Sequence, residues 1–148
     1  MEEEIINKAV SKFLQGYNCA EAVLSTLADF LGIKCKQIPR IATGLGGGIG
    51  HSGSVCGALT GAVMALGLKY GRDRPEQFEA YQTCMNKSLE FYKSFEKIFG
   101  SIYCRDLTGC NLSTPEGLEK FRMHQIKEKK CVKYVEYSVR ALLKLIKE

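Results

Sequence analysis

Apolar residues recur every three to four positions along most of the chain, which is the spacing of one face of an α-helix. The first such segment, Glu2–Gln15, is followed by Gly16, a residue type that commonly ends helices. Asn18 then fits a helix N-cap, and Glu21 follows three residues later in a variant of the capping box. This second helix is predicted to end at about Leu31.

The same periodicity, together with start and stop residues, predicts the rest of the fold. No segment alternates apolar and polar residues in the manner of a β-strand. The later predicted elements are a short helix at Gln37–Thr43, a buried helix at Ser54–Tyr70, a long helix from Asp73 to Phe99, a short turn or helix at Ile102–Thr108, a helix that starts at Ser113–Glu116 and is interrupted around His124–Glu128, and a last helix at Glu128–Lys147. The sequence therefore predicts an all-α fold, a single-domain irregular bundle of about six helices over residues 1–148.

A glycine-dense stretch, Gly44–Gly53, interrupts the helical pattern. Glycine costs about 1 kcal/mol per position inside a helix, so this stretch is predicted to be a loop. Its last part matches G-x-G-x-x-G, but no strand precedes it and no βαβ unit surrounds it, so a nucleotide site is not expected. His51 could be a ligand or a proton donor, but a single histidine in a loop is more often neither, and that interpretation is preferred.

Composition and charge narrow the class of protein. The chain has 148 residues, of which 45% are hydrophobic and 25% charged, and these values are typical of a globular protein. The net charge of +5 is mild, and the densest basic stretch, Lys127–Lys133, is interrupted by Glu128 and two apolar residues. That stretch is predicted to be a solvated helix face, so nucleic-acid binding is not expected.

Neither export nor membrane insertion is expected. The longest apolar run, Val55–Leu68, would span about 21 Å as a helix, against about 30 Å for a bilayer core. The N-terminus is acidic, whereas a secretory signal begins with basic residues. The sequence therefore favours a soluble cytoplasmic protein.

Seven cysteines are many for a chain of this length, and their number is odd. In a cytosolic protein this usage indicates metal binding or catalysis more than a disulfide framework. No C-x-x-C occurs, which disfavours a thioredoxin-type dithiol and a simple zinc knuckle. Without C-x-x-C-H, covalently bound haem is excluded as well. Cys35 and Cys84 have no special setting and are interpreted as structural or incidental.

Two cysteines stand at predicted helix starts. Cys19 is the first residue of the capped second helix, where the helix dipole should lower a thiol pKa. The alternative is that Cys19 is a small buried hydrophobic residue on the same face as Val23. Cys56 lies in the first turn after the glycine loop, whose N–H groups could hydrogen-bond sulfur or an anion. Burial would oppose this, so a lowered pKa is expected for Cys56 only if its sulfur faces the loop.

Small residues recur every four positions beside Cys56, which would let another helix approach closely. They are Gly53, Gly57, Gly61 and Ala65.

The segment Cys56-Gly-Ala-Leu-Thr-Gly61 carries a family resemblance. It is the unbroken motif Cys-Gly-Ala-x-x-Gly of the C_GCAxxG_C_C family of redox-active proteins, and the chain resembles this family from about Phe13 to its end. The other motif cysteines match Asn18–Leu24, Cys104–Thr108 and Cys131–Val135. The resemblance implies that Cys19, Cys56, Cys104 and Cys131 form the family's set.

The same resemblance implies that Cys110 is an additional cysteine near these four and not a member of the family's set. The chain is also similar to the non-haem part of split-Soret cytochromes c, for which an iron–sulfur centre has been suggested. It lacks their haem-binding motifs, so haem does not carry over. The resemblance supplies no substrate.

Three functions stay open on the sequence alone. In the first, the four cysteines bind an iron–sulfur cluster for electron transfer, with zinc as a less favoured metal. In the second, Cys56 or Cys19 is the catalytic nucleophile of thiol–disulfide exchange, with another cysteine as the resolving thiol. In the third, a helical adaptor uses its cysteines only to fill the core.

Both chemical functions require Cys19, Cys56, Cys104 and Cys131 to converge on one pocket, with Cys56 near its centre. Glycines around the loop are predicted to contribute to a cofactor site, namely Gly48, Gly50, Gly53 and Gly57. The partner would be an unidentified electron-transfer or thiol protein. Whether the protein is an enzyme, and whether it forms a homodimer, are left open.

Overall fold

The computed structural model describes residues 1–147, which form helices joined by turns. The α-helices are α1 (Glu2–Leu14), α2 (Cys19–Phe30), α3 (Gly57–Tyr70), α4 (Phe78–Phe99), α5 (Cys104–Thr108), α6 (Pro115–Met123) and α7 (Val132–Lys147). A 3₁₀-helical turn covers Arg40–Leu45, and a π-helical turn covers Lys127–Cys131. No strand forms in residues 1–147, where the single β-type pairing is an isolated bridge between Val55 and Tyr103. The predicted all-α irregular bundle is confirmed.

Local signals in the sequence determine several helix ends. Asn18 caps α2 as predicted, because its side chain accepts the N–H of Glu21 at 2.9 Å and the Glu21 carboxylate accepts the N–H of Asn18 at 2.9 Å. Gly100 ends α4 in the left-handed conformation, with φ at 80°. The Thr114 hydroxyl caps α6 by accepting the N–H of Gly117 at 3.0 Å.

The prediction that Asp73 starts the long helix is wrong. The helix α4 begins at Phe78, with Gln77 as its N-cap residue. The side-chain oxygen of Gln77 accepts the backbone N–H groups of Asp73 at 2.7 Å and Arg74 at 3.1 Å. These two donors are therefore satisfied in a turn that precedes the helix.

The buried helix α3 also begins later than predicted, at Gly57 instead of Ser54. The residues before it pair with another part of the chain. The N–H of Cys56 donates to the Ile102 oxygen at 2.8 Å, and the N–H of Cys104 donates to the Ser54 oxygen at 2.7 Å. This pairing holds the start of α3 against the start of α5.

The helix α3 is the centre of the bundle and packs against α2, α4 and α7. Its contact with α2 depends on glycine. A Cβ atom on Gly61 would lie 2.7 Å from the Ala20 oxygen, and one on Gly57 would lie 3.1 Å from the Ala20 nitrogen. Gly57 and Gly61 of the predicted stripe thus form the surface on which α2 approaches, whereas Gly53 lies before α3 and packs against Arg105.

Aromatic rings fill the contact between α4 and α7. Phe91 and Phe95 of α4 have no exposed surface. The Phe99 ring centroid lies 4.8 Å from those of Phe95 and Tyr134, in edge-to-face geometry. Across residues 1–147, no helix has the length and apolar character needed to cross a membrane.

Candidate four-cysteine site

The glycine-rich segment before α3 forms a left-handed turn. Five consecutive residues, Gly47–His51, have positive φ, including 71° at Ile49 and 64° at His51. Residues that carry a side chain rarely adopt a positive φ, and a β-branched residue such as Ile49 is a strong exception. A Cβ atom on Gly48 would lie 2.8 Å from the Cβ of Cys104, so this turn packs directly against the start of α5.

Cys19, Cys56, Cys104 and Cys131 line one cavity of about 210 Å³. They belong to four different elements, because Cys19 starts α2, Cys56 caps α3, Cys104 starts α5 and Cys131 ends the π-helical turn. Cys19 is partly exposed and the other three are buried. The structure therefore brings together the four residues that the sequence grouped, while the nature of what they bind stays a prediction.

Backbone contacts explain this convergence. The pairing of residues 54–56 with 102–104 places Cys56 beside Cys104. A Cβ atom on Gly57 would lie 3.3 Å from the Cβ of Cys19, so the absence of a side chain there lets α2 bring Cys19 to the same point. The π-helical turn ends at Cys131, and π-helical insertions of this kind are frequent at functional sites.

Burial makes the thiols weak acids. It raises the pKa of Cys56 from its ordinary value near 9 to about 12, although the N–H groups of Ala58 and Leu59 lower it in part. Burial also raises the pKa of Cys19 well above its ordinary value. The expectation that a helix start lowers the pKa of Cys19 is wrong, because desolvation outweighs the helix dipole. The pKa of Cys56 is likewise raised and not lowered.

The four sulfurs also disfavour one another as thiolates. After burial, the next causes that raise the pKa of Cys19 are the charges of Cys56, Cys131 and Cys104. Burial and then Cys56 and Cys104 raise the pKa of Cys131, and the ammonium of Lys127 lowers it. Such a group of thiols favours bound protons or a bound cation over four free negative charges.

Lys127 is the single Lys, Arg, Asp or Glu among the residues that line the cavity, as far as the described part of the chain shows. Its amine lies 4.6 Å from the centre of the Phe13 ring, a cation–π distance. The hydroxyl of Tyr134, another lining residue, donates to the Leu107 oxygen at 2.9 Å. Most other lining residues are apolar or glycine, so the cavity offers thiols and one positive charge in apolar surroundings.

The chain matches the family described as "Putative redox-active protein (C_GCAxxG_C_C)" over residues 17–145. It belongs to this family. The C_GCAxxG_C_C match contains all four cavity cysteines and the Cys56–Gly61 motif. The chain is also similar to an uncharacterized protein of Archaeoglobus fulgidus, with 28% identity over 153 residues that cover 99% of this chain and 95% of the relative. No solved structure matches the chain.

Among the glycines predicted to form a cofactor site in this C_GCAxxG_C_C protein, Gly57 lines the cavity. Gly48 packs against Cys104, and a Cβ atom on Gly53 would lie 3.0 Å from the Cβ of Arg105. Gly50 faces open space. Gly48, Gly50 and Gly53 therefore shape the turn around the cavity without lining it, and a direct role in cofactor binding stays a prediction.

The remaining candidates lie at different distances from the site. His51 lines the cavity and is exposed. Cys110 is buried next to Cys104, and its thiol donates to the Thr108 oxygen at 3.5 Å. Cys35 is exposed and Cys84 is partly exposed, and neither lines the cavity.

Sequence reasoning missed Lys127, Tyr134 and Thr108. Lys127 was assigned to a solvated face, although its position four residues before Cys131 is a signal that the two share a helix face. Thr108 stands four residues after Cys104, and its hydroxyl donates to the Cys104 oxygen at 2.7 Å. The same hydroxyl lowers the pKa of Cys104 against the larger raising effect of burial.

Proposed function

We propose that the protein is an electron-transfer protein whose Cys19, Cys56, Cys104 and Cys131 thiolates hold an iron–sulfur cluster. The observation that supports this is the convergence of four thiols from four separate elements on one cavity. Iron–sulfur clusters commonly take four cysteine thiolates, and a bound cluster supplies reversible electron transfer. The family's description as redox-active agrees with the proposal.

The cavity has room for a cluster, whereas the described side chains do not meet the geometry of a single-ion site. Zinc binds four thiolates at about 2.3 Å, which brings all the sulfurs within about 4 Å of one another. No three His, Cys, Asp or Glu side chains in residues 1–147 are arranged to hold one ion. A cluster with several iron atoms separates its ligands more widely, by about 4–8 Å, and a cavity of about 210 Å³ gives room for it.

The chain's own residues would perform three tasks at this site. Each thiol gives up its proton on binding, because the ligand is the thiolate. The ammonium of Lys127 and the N–H groups of Ala58 and Leu59 favour the resulting negative charge on Cys131 and Cys56. The mostly apolar lining would limit the contact of the bound group with water, which is a means by which proteins adjust the potential of a redox centre.

Thiol–disulfide exchange receives less support from the same geometry. Its nucleophile is a thiolate, and the pKa of Cys56 at about 12 leaves almost none at neutral pH. The adaptor function receives less support too, because cysteines that only fill a core have no need of a cavity, and cavities are few in well-packed interiors.

Anaerobic purification followed by reconstitution with ferrous iron and sulfide tests the proposal. We expect visible charge-transfer absorbance, and iron and acid-labile sulfide bound to the wild-type protein. Cys56→Ser should lose them while helicity measured by circular dichroism stays nearly unchanged. The matched controls Cys35→Ser and Cys84→Ser lie outside the cavity and should load like the wild type.

Three results would contradict the proposal. A colourless protein with one bound zinc would indicate a structural metal site. A metal-free protein with titratable disulfides would indicate exchange chemistry. Full iron and sulfide content in Cys56→Ser would show that this residue belongs only to the core.

A further inference from the structure

Positive charge is concentrated in one short part of the chain. The segment Leu118–Lys133 contains six Lys or Arg and two Glu, so it carries four of the five net positive charges. The basic residues are Lys120, Arg122, Lys127, Lys129, Lys130 and Lys133. All except Lys127 are exposed, and no ion pair within residues 1–147 involves any of the six.

The same segment is a wall of the four-cysteine cavity. Its lining residues are Leu118, Phe121, Lys127 and Cys131. Arg122 follows Leu118 by four residues on α6, and Lys130 precedes the lining residue Tyr134 by four. Residues four apart share a face of an α-helix, so Arg122 lies beside the cavity, and Lys130 stands in the π-helical turn directly before the lining residue Cys131.

Exposed apolar side chains accompany this charge. Leu118 is 41% exposed and Tyr17 is 45% exposed, and both line the cavity. Met123, at the end of α6, is 70% exposed. Interfaces of transient redox complexes are small, and protein interfaces combine an apolar centre with a polar rim. The cavity mouth has both parts of such a surface.

We propose that Leu118–Lys133 together with Tyr17 docks a small acidic electron-carrier protein. The inference rests on the proposed function, since the docked carrier exchanges one electron with the four-cysteine site. The carrier loses one electron and the site gains one, or the reverse, and no covalent bond forms or breaks. Complementary charge steers the two proteins together, and the carrier's negative surface meets Arg122 and Lys130 beside the mouth.

The distribution of charge favours a protein over a nucleic acid or a bilayer. Among the described residues that line the cavity from other elements there is no Lys or Arg, so the positive charge of the lining comes from this one segment. A nucleic acid is bound through many phosphate contacts along its length. A bilayer surface is bound by an amphipathic helix with a continuous apolar face. A compact patch beside a redox cavity matches a small globular partner better.

Calorimetric titration with a plant-type ferredoxin, a small acidic one-electron carrier, tests the proposal on the full-length protein. We expect binding that weakens as salt is raised. Arg122→Glu with Lys130→Glu should raise the Kd about tenfold or more. The control Lys34→Glu with Lys36→Glu makes the same change in net charge at two exposed lysines outside the cavity lining, and should leave the Kd within about twofold.

A second variant keeps the test decisive if the charge reversal disturbs folding. Arg122→Gln with Lys130→Gln should weaken binding in the same direction by a smaller factor. Equal weakening in the control, no measurable binding of ferredoxin, or tighter binding to phosphatidylglycerol vesicles or to a single-stranded oligonucleotide would overturn the proposal. Iron and sulfide are measured on the same samples. Binding without a cluster contradicts only the proposed function, and a cluster without binding contradicts only the docking face.

Discussion

Two neighbouring regions of the bundle, the aromatic end between α4 and α7 and the cavity end around the four cysteines, differ in the regularity of their backbone. At the aromatic end, α4 and α7 are regular α-helices, and Phe91 and Phe95 are fully buried in the contact between them. At the other end, the cysteines are held by a left-handed turn, a five-residue helix and a π-helical turn. Regular helices bury apolar surface without backbone strain. Irregular backbone raises the free energy of the folded state, so it persists only where surrounding contacts impose it. The comparison suggests that stability comes mainly from the aromatic end and chemistry from the cavity end.

The largest expected loss of stability comes from the aromatic end. Phe95 has no exposed surface and contacts the rings of Phe91, Phe99 and Tyr137. Phe95→Ala leaves a cavity and should lower the free energy of unfolding by about 3–5 kcal/mol in urea titrations. Ile98→Ala on the same helix, where Ile98 is 59% exposed, should change it by less than about 0.5 kcal/mol.

A second measurement on these variants tests whether stability and cluster binding depend on separate regions. The folded fraction of Phe95→Ala should take up as much iron and sulfide per molecule as the wild type. If loading falls in proportion to stability, the two ends are not independent, and the comparison fails.

The close contact of Gly61 in α3 with Ala20 in α2 should give a smaller loss. A Cβ atom on Gly61 meets the backbone of Ala20, which cannot move without shifting α2. Gly61→Ala should therefore lower the free energy of unfolding by about 1–3 kcal/mol. Gly67→Ala, in the same helix with open space around it, should raise it by about 0.5–1 kcal/mol because alanine favours the helix. Loss of stability in both variants, in spite of the higher helix propensity of alanine, would mean that the loss at Gly61 is not specific to the close approach of α2.

The fold was predictable where local signals agree with tertiary packing. The capping box at Asn18, the glycine after α4 and the stripe around Gly61 each have one physical meaning, and the structure keeps them. The start of α4 was missed because Asp73 and Pro75 fit a helix start as well as they fit the turn that the Gln77 side chain holds. Only the tertiary arrangement decides between these two.

The candidate site was predictable in its residues and not in its electrostatics. The family pattern grouped Cys19 and Cys56 with the other two cysteines, and the cavity contains all four. Their acidity was misjudged because a helix start is visible in sequence, whereas the burial that outweighs it depends on the packing of distant segments. Lys127 was missed for the same reason, since its exposure is set by the contact with Phe13.

The thiols of the cavity end should determine how the stability of the protein falls at high pH. In the metal-free protein the pKa of Cys56 is about 12, against about 9 when unfolded, so between these values the unfolded chain binds fewer protons. Its contribution to stability is therefore complete below pH 9 and is lost as the pH rises toward 12. Urea titrations from pH 8 upward should show a shallower decline in Cys56→Ala than in the wild type. The exposed control Cys35→Ala should follow the wild type, and identical slopes in all three proteins would contradict the pKa of Cys56.

The smallest expected effect lies at Tyr134, which belongs to both ends. Its ring packs on Phe99, and its hydroxyl donates to the Leu107 oxygen in α5 at 2.9 Å. Tyr134→Phe keeps the ring and removes one donor, so the free energy of unfolding should fall by about 1 kcal/mol. Tyr137→Phe is the matched control, because it removes a hydrogen bond of the same length to Ser94 within the aromatic end.

Hydrogen exchange separates the two tyrosine variants even though their global losses are similar. The Leu107 oxygen without its partner loosens α5, so amides of Cys104–Thr108 should exchange faster in Tyr134→Phe while those of α4 follow only the global change. In Tyr137→Phe the α5 amides should also follow only the global change. Equal acceleration of α5 in both variants would mean that α5 opens only when the whole bundle unfolds. The cavity end would then be part of the same cooperative unit as the aromatic end, in spite of its irregular backbone.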